Sequence, residues 1–301
     1  MYKLKRIEKQ KRKNSMILDY LKQKQALIDQ ALDESLPLAN TRPAVLHEAM
    51  RYCVLNGGKR IRPILCLATA ELFGADLKIV LPAALSLELY HCSTLIHDDL
   101  PSMDDDDLRR GLPTCHIKYG EANAILVGDA LLVQAFEMIA KTNVATLVQE
   151  LAQAAGSRGV IAGQVEDLEA ENKAANAEDL DFIHHHKTAI LIRAAVRIGA
   201  FAGTVSDSEL VALTSFADQI GLAFQIEDDI LDETSTDDVL GKPSGSDAKQ
   251  HKMTYPAVHG LDQARAAAER LTHSALAELE KINRNTDRLA QIAQYLVTRT
   301  F

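Results

Sequence analysis

The chain lacks an excess of basic residues. It has 33 Lys and Arg against 42 Asp and Glu, which gives a formal net charge of −9. This balance argues against nucleic acid or an anionic membrane surface as the main partner. If the protein binds an anion, cations have to mediate the contact.

Paired cysteines and long apolar runs are also missing. The four cysteines have no CxxC spacing, which excludes a disulfide framework and is typical of reduced thiols in a cytoplasmic protein. No apolar stretch approaches the roughly 20 residues of a membrane span. The basic segment 1–15 lacks the apolar core of a secretory signal and is predicted to be a flexible, solvated tail, with organelle targeting as the alternative.

Proline and glycine are scarce, with 8 and 15 residues, and the stretches between them are rich in Ala, Leu, Glu, Gln and Ile. This composition favours helices, and no run of strand alternation occurs. We predict a single all-α domain over 16–301. The predicted helices cover 15–36, 44–57, 63–73, 80–100, 119–141, 145–170, 178–203, 207–234, 254–258, 261–282 and 286–299.

Two acidic clusters carry the chemistry. In the first, Asp98 and Asp99 precede Pro101, so they fall at a helix end where the dipole disfavours carboxylates, and Asp104 follows in the loop. In the second, Asp228 and Asp232 lie one helical turn apart and repel each other unless a cation lies between them.

Both doublets occur in apolar helical segments, where unpaired carboxylates are costly. An all-oxygen ligand set of this kind suits Mg²⁺, which bridges carboxylates to substrate phosphates. A solvated acidic face is the alternative, and we prefer it only for Asp105, Asp106 and Asp107.

A basic segment, GGKRIRP at 57–63, places three cations within four residues behind two glycines. It lacks the spacing of a phosphate-binding Walker loop. On its own it would be interpreted as a helix end followed by solvated basic side chains.

Together these motifs resemble the trans-isoprenyl diphosphate synthases, in particular the bacterial-type farnesyl and geranylgeranyl diphosphate synthases. The resemblance runs over about 44–299. It rests on GGKRIRP at 57–63, LIHDDLPSMDDDDLRRGLPT at 95–114, GEANAILVGDAL at 120–131, Gln164 and Asp167, Lys187 with Thr188, GLAFQIEDDILD at 221–232 and LGK at 240–242. It implies a bundle of long helices around a deep central cavity, a homodimer, and a cytoplasmic, Mg²⁺-dependent prenyltransferase of isoprenoid biosynthesis.

The resemblance also implies a role for each matching residue. Asp98, Asp99, Asp104, Asp228 and Asp232 are expected to bind Mg²⁺, with Asp229 completing the second motif. Arg109, Lys187, Lys242 and Lys252 are expected to contact the allylic diphosphate. Lys59, Arg62, His91 and Arg110 match the isopentenyl diphosphate site. Thr188 and Gln225 are placed to face the allylic cation, which needs a dry cavity with a few oriented dipoles.

Chain length is expected to depend on the helix before the first cluster. Family members commonly carry an aromatic residue five positions before the first aspartate, where this chain has Ser93. Tyr90 lies about one helical turn deeper, between Ser93 and Thr94 in angle, and one turn of about 5.4 Å is roughly one isoprene unit. We predict that Tyr90 limits the product to farnesyl or geranylgeranyl length, with simple packing against a neighbouring helix as the alternative.

Two other functions remain possible on the same architecture. Terpene cyclases usually replace the second aspartate motif and line their cavities with aromatics, whereas this chain keeps DDILD, has 5% aromatic residues and lacks tryptophan. Non-catalytic subunits of heteromeric synthases typically lose aspartates that are intact here.

A run of three histidines, His184, His185 and His186, needs a separate interpretation. Consecutive helical residues point about 100° apart, so they cannot easily share one metal ion. We interpret all three as partly exposed helix residues preceding Lys187.

Overall fold

The computed structural model describes residues 2–171, 176–234 and 252–298, with side chains from Ser15 onward and Thr298 excepted. The predicted all-α class is confirmed. In chain order the helices are α1 (Tyr2–Ser35), α2 (Ala44–Leu55), α3 (Ile61–Leu72), α4 (Leu77–Asp98), α5 (Cys115–Tyr119), α6 (Glu121–Ala140), α7 (Ala145–Ala155), α8 (Val160–Ala170), α9 (Ala177–Ile183), α10 (Ile190–Phe201), α11 (Asp207–Thr234), α12 (Tyr255–His259), α13 (Leu261–Leu279) and α14 (Asp287–Thr298).

Helix α4 lies at the centre of the bundle. Its apolar residues cover the whole circumference rather than one stripe, which is typical of a helix buried on all sides. Asp76 caps its start by accepting a hydrogen bond of 2.9 Å from the backbone N–H of Lys78. The helix packs against α3 and α6, and α10 and α11 complete the core around it.

Several predicted boundaries were wrong. Helix α1 begins at Tyr2 rather than at residue 15, so the backbone of the predicted tail is helical; whether that segment is flexible stays a prediction. The predicted helix 145–170 is two helices, because the backbone at Gly159 (φ −130°, ψ −131°) is not helical. Gly159 packs against the Ala154 carbonyl so closely that a Cβ at this position would lie 2.0 Å from the carbonyl oxygen, which only glycine avoids.

A small hairpin was also missed. Strands β1 (Leu108–Arg109) and β2 (Leu112–Pro113) pair antiparallel across the turn residues Arg110 and Gly111. Both turn residues have positive φ, 55° and 76°, as the tight hairpin turn that matches strand twist requires. The hairpin directs the arginines that follow the first acidic cluster.

The predicted helix 178–203 is interrupted by a π-helical segment, His184–Ala189, between α9 and α10. Two glycines let neighbouring helices approach it closely. A Cβ on Gly163 of α8 would lie 2.2 Å from the Lys187 nitrogen, and one on Gly221 of α11 would lie 2.8 Å from the Ala189 Cα. The π segment is therefore held between α8 and α11.

Two helices are long and apolar enough to cross a membrane by length and composition, although the sequence analysis expected no such stretch. In α4, 67% of the apolar window is buried in the core, and in α6 39% is buried. Since the core helix of a globular bundle passes the same test, this is weak evidence for a membrane span.

Candidate active site

A cavity of about 880 Å³ opens beside the end of α4. Both acidic clusters line it, the first through Asp98, Asp104 and Asp106 and the second through Asp228, Asp229 and Asp232. The interpretation of Asp106 as part of a solvated face was wrong, because it lines the cavity and accepts a hydrogen bond of 3.3 Å from Arg109. The two motifs, which lie far apart in the sequence, therefore face the same space.

The first cluster folds back on the end of α4. The backbone N–H of Asp104 donates to the Asp98 carbonyl at 2.8 Å, which brings both side chains to the cavity wall. Burial raises the pKa of Asp98, against the opposing effect of Lys187. Burial would also raise the pKa of Asp104, but Lys252, whose Nζ lies 2.7 Å from the carboxylate, and Lys187 lower it.

Asp99 turns away from this cavity. It is buried, and Arg109 donates to its Oδ1 through Nε at 2.9 Å and through a second guanidinium nitrogen. It lines a separate pocket of about 30 Å³ together with Cys53 and Cys115. The structure therefore does not bring Asp99 to Asp98 and Asp104, and its Mg²⁺ role stays a prediction.

The second cluster presents one side of α11 to the cavity, where Gln225 joins the three aspartates. Gln225 donates from Nε2 to Asp229 at 2.8 Å and accepts a hydrogen bond of 2.6 Å from the Thr188 hydroxyl. Thr188 also lines the cavity. The two residues expected to face an allylic cation are thus linked to each other.

Lys187 projects from the π segment toward the first cluster. Its Nζ donates to the buried Asp167 carboxylate at 2.6 Å. Burial would lower the pKa of Lys187, but Asp98, Asp167 and Asp104 raise it well above its ordinary value. Lys187 is therefore a fixed positive charge beside the acidic clusters.

A second group of cations lines the cavity farther along, and includes Lys59, Arg62 and Arg110 around His91. Arg62 Nη1 lies 3.3 Å from His91 Nε2, and Arg110 donates to the Gly57 carbonyl. Burial and the neighbouring arginines, Arg62 first, lower the pKa of His91 well below its ordinary value, so the ring is neutral.

The chain-length residues lie outside the cavity lining. Tyr90 is buried and donates from its hydroxyl to the Ala155 carbonyl at 3.0 Å. Ser93 and Thr94 donate back to carbonyls of their own helix, those of Tyr90 and His91. Their effect on product length stays a prediction. Arg109 and Lys252 line the cavity, whereas Lys242 lies outside the described residues.

Sequence reasoning missed two contributors. The interpretation of His184 as partly exposed was wrong, because it is buried and lines the cavity; its burial comes with the packing of the π segment, which α-helical spacing does not predict. Helix α1 also reaches the cavity through Lys22 and Gln25, and Gln25 donates to the Gly58 carbonyl at 2.8 Å. Nothing in the α1 sequence indicates that contact.

The donor set fits Mg²⁺. Among the side chains that the structure describes, no three His, Cys, Asp or Glu groups converge tightly enough to hold an ion alone. Mg²⁺ is commonly held by one or two carboxylates with waters and substrate phosphates, and carboxylates facing one cavity beside lysines provide that arrangement. The fold and site thus define a class, the all-α proteins whose central cavity can hold divalent ions and diphosphate groups.

Comparison with known proteins gives the family. The family model described as Polyprenyl synthetase matches residues 43–296. The chain is 44% identical over 300 residues to Farnesyl diphosphate synthase of Escherichia coli, covering 94% of this chain and 99% of that protein. It is 42% identical over 294 residues to Geranylgeranyl diphosphate synthase of Cyanophora paradoxa, covering 95% and 97%.

A solved structure agrees with these relatives. A geranyltransferase from Helicobacter pylori, complexed with magnesium and isoprenyl diphosphate, is 34% identical with a TM-score of 0.82, over 93% of this chain and 96% of that one. This chain therefore belongs to the polyprenyl synthetase family, and its resemblance to the trans-isoprenyl diphosphate synthases is confirmed.

Proposed function

We propose that the chain is a short-chain trans-prenyltransferase that condenses dimethylallyl or geranyl diphosphate with isopentenyl diphosphate to give farnesyl diphosphate and diphosphate. One observation carries the proposal: two acidic clusters and two groups of cations line the same cavity. Its relatives carry the names of farnesyl and geranylgeranyl diphosphate synthases.

The allylic diphosphate fits between the acidic clusters. Asp98, Asp104 and Asp228, with Asp232, would hold Mg²⁺, which supplies positive charge to the departing diphosphate. Lys187 keeps its charge because three carboxylates raise its pKa, so it can contact the same diphosphate. Arg109 and Lys252 line this part of the cavity as further contacts.

Isopentenyl diphosphate fits the second group of cations, Lys59, Arg62 and Arg110. The neutral ring of His91 accepts or donates a hydrogen bond there without adding charge. Two anionic substrates would thus be held at two separate cationic walls, which leaves their hydrocarbon parts in the space between.

Bond formation then depends on the protected cation. Ionisation leaves an allylic cation near the Thr188 and Gln225 dipoles, and the isopentenyl double bond attacks it. A proton leaves the isopentenyl unit for the departing diphosphate. No side-chain nucleophile is required.

Product length has two candidates. Farnesyl diphosphate is supported by Tyr90, whose buried ring is fixed by its hydrogen bond from α4 to the Ala155 carbonyl of α7. Geranylgeranyl diphosphate is favoured by the small Ser93 side chain, because a floor one helical turn deeper admits about one more isoprene unit.

The assay supplies isopentenyl diphosphate with dimethylallyl or geranyl diphosphate and Mg²⁺, and identifies the products by mass. Farnesyl diphosphate is the expected product. Hydrocarbons or cyclic alcohols would indicate a cyclase, and absence of any product would indicate a non-catalytic subunit. Asp98→Asn should abolish elongation, and Asp105→Asn, an exposed neighbour outside the cavity lining, serves as its control.

We also propose a cytoplasmic homodimer. The free thiols of all four cysteines support a reducing compartment.

Helix α6 leaves Ile125, Leu126 and Val133 exposed at 46%, 57% and 67%, and α5 beside it exposes Ile117 at 52%. An exposed apolar face of this kind supports contact with a second copy of the chain.

A further inference from the structure

The Asp229 carboxylate contacts groups from three different elements, two of which donate hydrogen bonds to it. Its Oδ1 accepts from Gln225 Nε2 at 2.8 Å, and its Oδ2 accepts from the backbone N–H of Tyr255 at 2.8 Å. His184 Nε2 lies 3.2 Å from the same Oδ2. Asp229 is only 4% exposed, so these protein groups surround it.

The Nε2 atom of His184 lies within ion-pair distance of this carboxylate. Because a carboxylate oxygen accepts and a ring N–H donates, a proton on Nε2 makes this contact favourable. His184 is 5% exposed and begins the π segment that also carries Thr188. Its ring stacks beside Tyr255, with ring centroids 6.3 Å apart, which restricts its rotation.

Asp229 in turn fixes the direction of the dipoles of Gln225 and Thr188. Because Asp229 accepts from the Gln225 amide nitrogen, the amide oxygen must point the other way, toward Thr188. The Thr188 hydroxyl donates to that oxygen at 2.6 Å, so its proton points at Gln225 and its lone pairs are left for the cavity. A hydroxyl oriented in this way presents its negative end to a positive charge.

We propose that His184 is a positioning residue which, through Asp229, orients Gln225 and Thr188 toward the allylic cation. The inference rests on the proposed function and deepens it. In the simpler alternative, His184 is a buried histidine that only packs the π segment against α12. The positioning role and the packing role predict different effects of a His184 substitution on the binding of a cationic ligand.

The kinetic test compares three variants. His184→Phe keeps a planar ring and removes Nε2, the atom that contacts Asp229, whereas His184→Gln places an amide N–H near the position of Nε2. His185→Phe is the matched control, because His185 is the next residue and lies outside the cavity lining. Thermal unfolding of each variant shows whether folding is preserved.

We expect His184→Phe to lower kcat for elongation by roughly 10-fold to 100-fold, with both KM values within about 3-fold of wild type. His184→Gln should recover most of kcat, and His185→Phe should match wild type. An unchanged kcat in a folded His184→Phe protein would overturn the proposal. So would an equal loss in His184→Gln.

A binding test separates orientation of dipoles from packing. Geranyl thiolodiphosphate carries a neutral chain, whereas an ammonium analogue bound with inorganic diphosphate places a positive charge where the cation forms. We expect His184→Phe to weaken binding of the ammonium analogue at least about fivefold more than binding of the thiolodiphosphate. Equal weakening of both ligands, or of neither, would leave only the packing role and refute the inference.

Different results would refute the proposed function and the positioning role of His184. If wild type yields no elongated diphosphate, the proposed function fails. If wild type elongates normally and the His184 variants behave as the His185 control does, only the positioning role fails.

Discussion

Neighbouring residues of one basic motif have opposite environments. In the segment 57–63, Arg60 and Arg62 both border the cavity, but Arg62 is half-buried, whereas the Arg60 side chain is completely buried. Arg60 donates to Glu88 at 2.7 Å, to Asp29 at 2.8 Å and to the Val54 carbonyl at 2.7 Å. The motif therefore combines a core ion pair with a substrate-facing cation.

Replacing Arg60 by leucine should cost about 3–5 kcal/mol of unfolding free energy, because Glu88 would be left buried without its partner. Arg62→Leu should leave stability within about 1 kcal/mol but raise KM for isopentenyl diphosphate roughly tenfold or more. Urea unfolding and steady-state kinetics measure the two effects. Similar stability losses in both variants would contradict this division of roles.

Tyr90 offers a second test at a single residue. If its ring closes the tunnel, Tyr90→Ala should lengthen the product by at least one isoprene unit, since one helical turn spans about 5.4 Å. Tyr90→Phe removes only the hydrogen bond to Ala155 and should keep the wild-type product. Mass analysis of the products decides the question, and an unchanged length in Tyr90→Ala would mean that Tyr90 only packs.

At the scale of the elements, local pattern predicted most helices and the acidic face of α11. Helical spacing alone places Gln225, Asp228 and Asp232 on one side, because that side depends on 3.6 residues per turn and on nothing else. It could not predict that Asp99 turns toward Arg109, since the hairpin that carries Arg109 forms only through contacts with the folded chain.

The π segment, too, could not be predicted from the sequence. Its extra residue per turn comes from packing between α8 and α11, which a single helix pattern does not encode. The burial of His184 therefore escaped the sequence analysis, although its neighbours Lys187 and Thr188 were identified from their motif.

Gly163 tests whether this packing positions the catalytic groups. A Cβ there would meet backbone atoms of Lys187 and His186 at 2.2 to 2.7 Å, which cannot move independently of the π segment. Gly163→Ala should cost about 1–3 kcal/mol of stability and reduce kcat by roughly tenfold or more.

Gly128→Ala is the matched control on α6. The three atoms nearest to its Cβ would all belong to the His97 ring, with Nε2 at 2.1 Å, and that partly exposed side chain can rotate away. The control should therefore retain most activity and stability. If Gly163→Ala behaves in the same way, the close approach of α8 does not position Lys187.

For the whole molecule, assembly is the property most open to test. A stable dimer usually buries about 800 Å² on each partner, and its centre is apolar. On α6, Leu126 and Val133 are seven positions apart and so lie on one face of the helix, where both are more than half exposed. The same helix is only 39% buried along its apolar window, which leaves this face available to a second copy.

If the proposed dimer forms through α6, the double variant Leu126→Glu, Val133→Glu should convert it to monomers, because two buried carboxylates on each partner would be left without counter-charges. Sedimentation equilibrium and light scattering measure the mass. Val211→Glu is the control, since Val211 is an equally exposed apolar residue on α11, at 70% exposure. A wild-type monomer would refute the proposed dimer, and a double variant that stays dimeric would place the partner surface elsewhere. A monomeric double variant beside a dimeric control would assign the interface to α6.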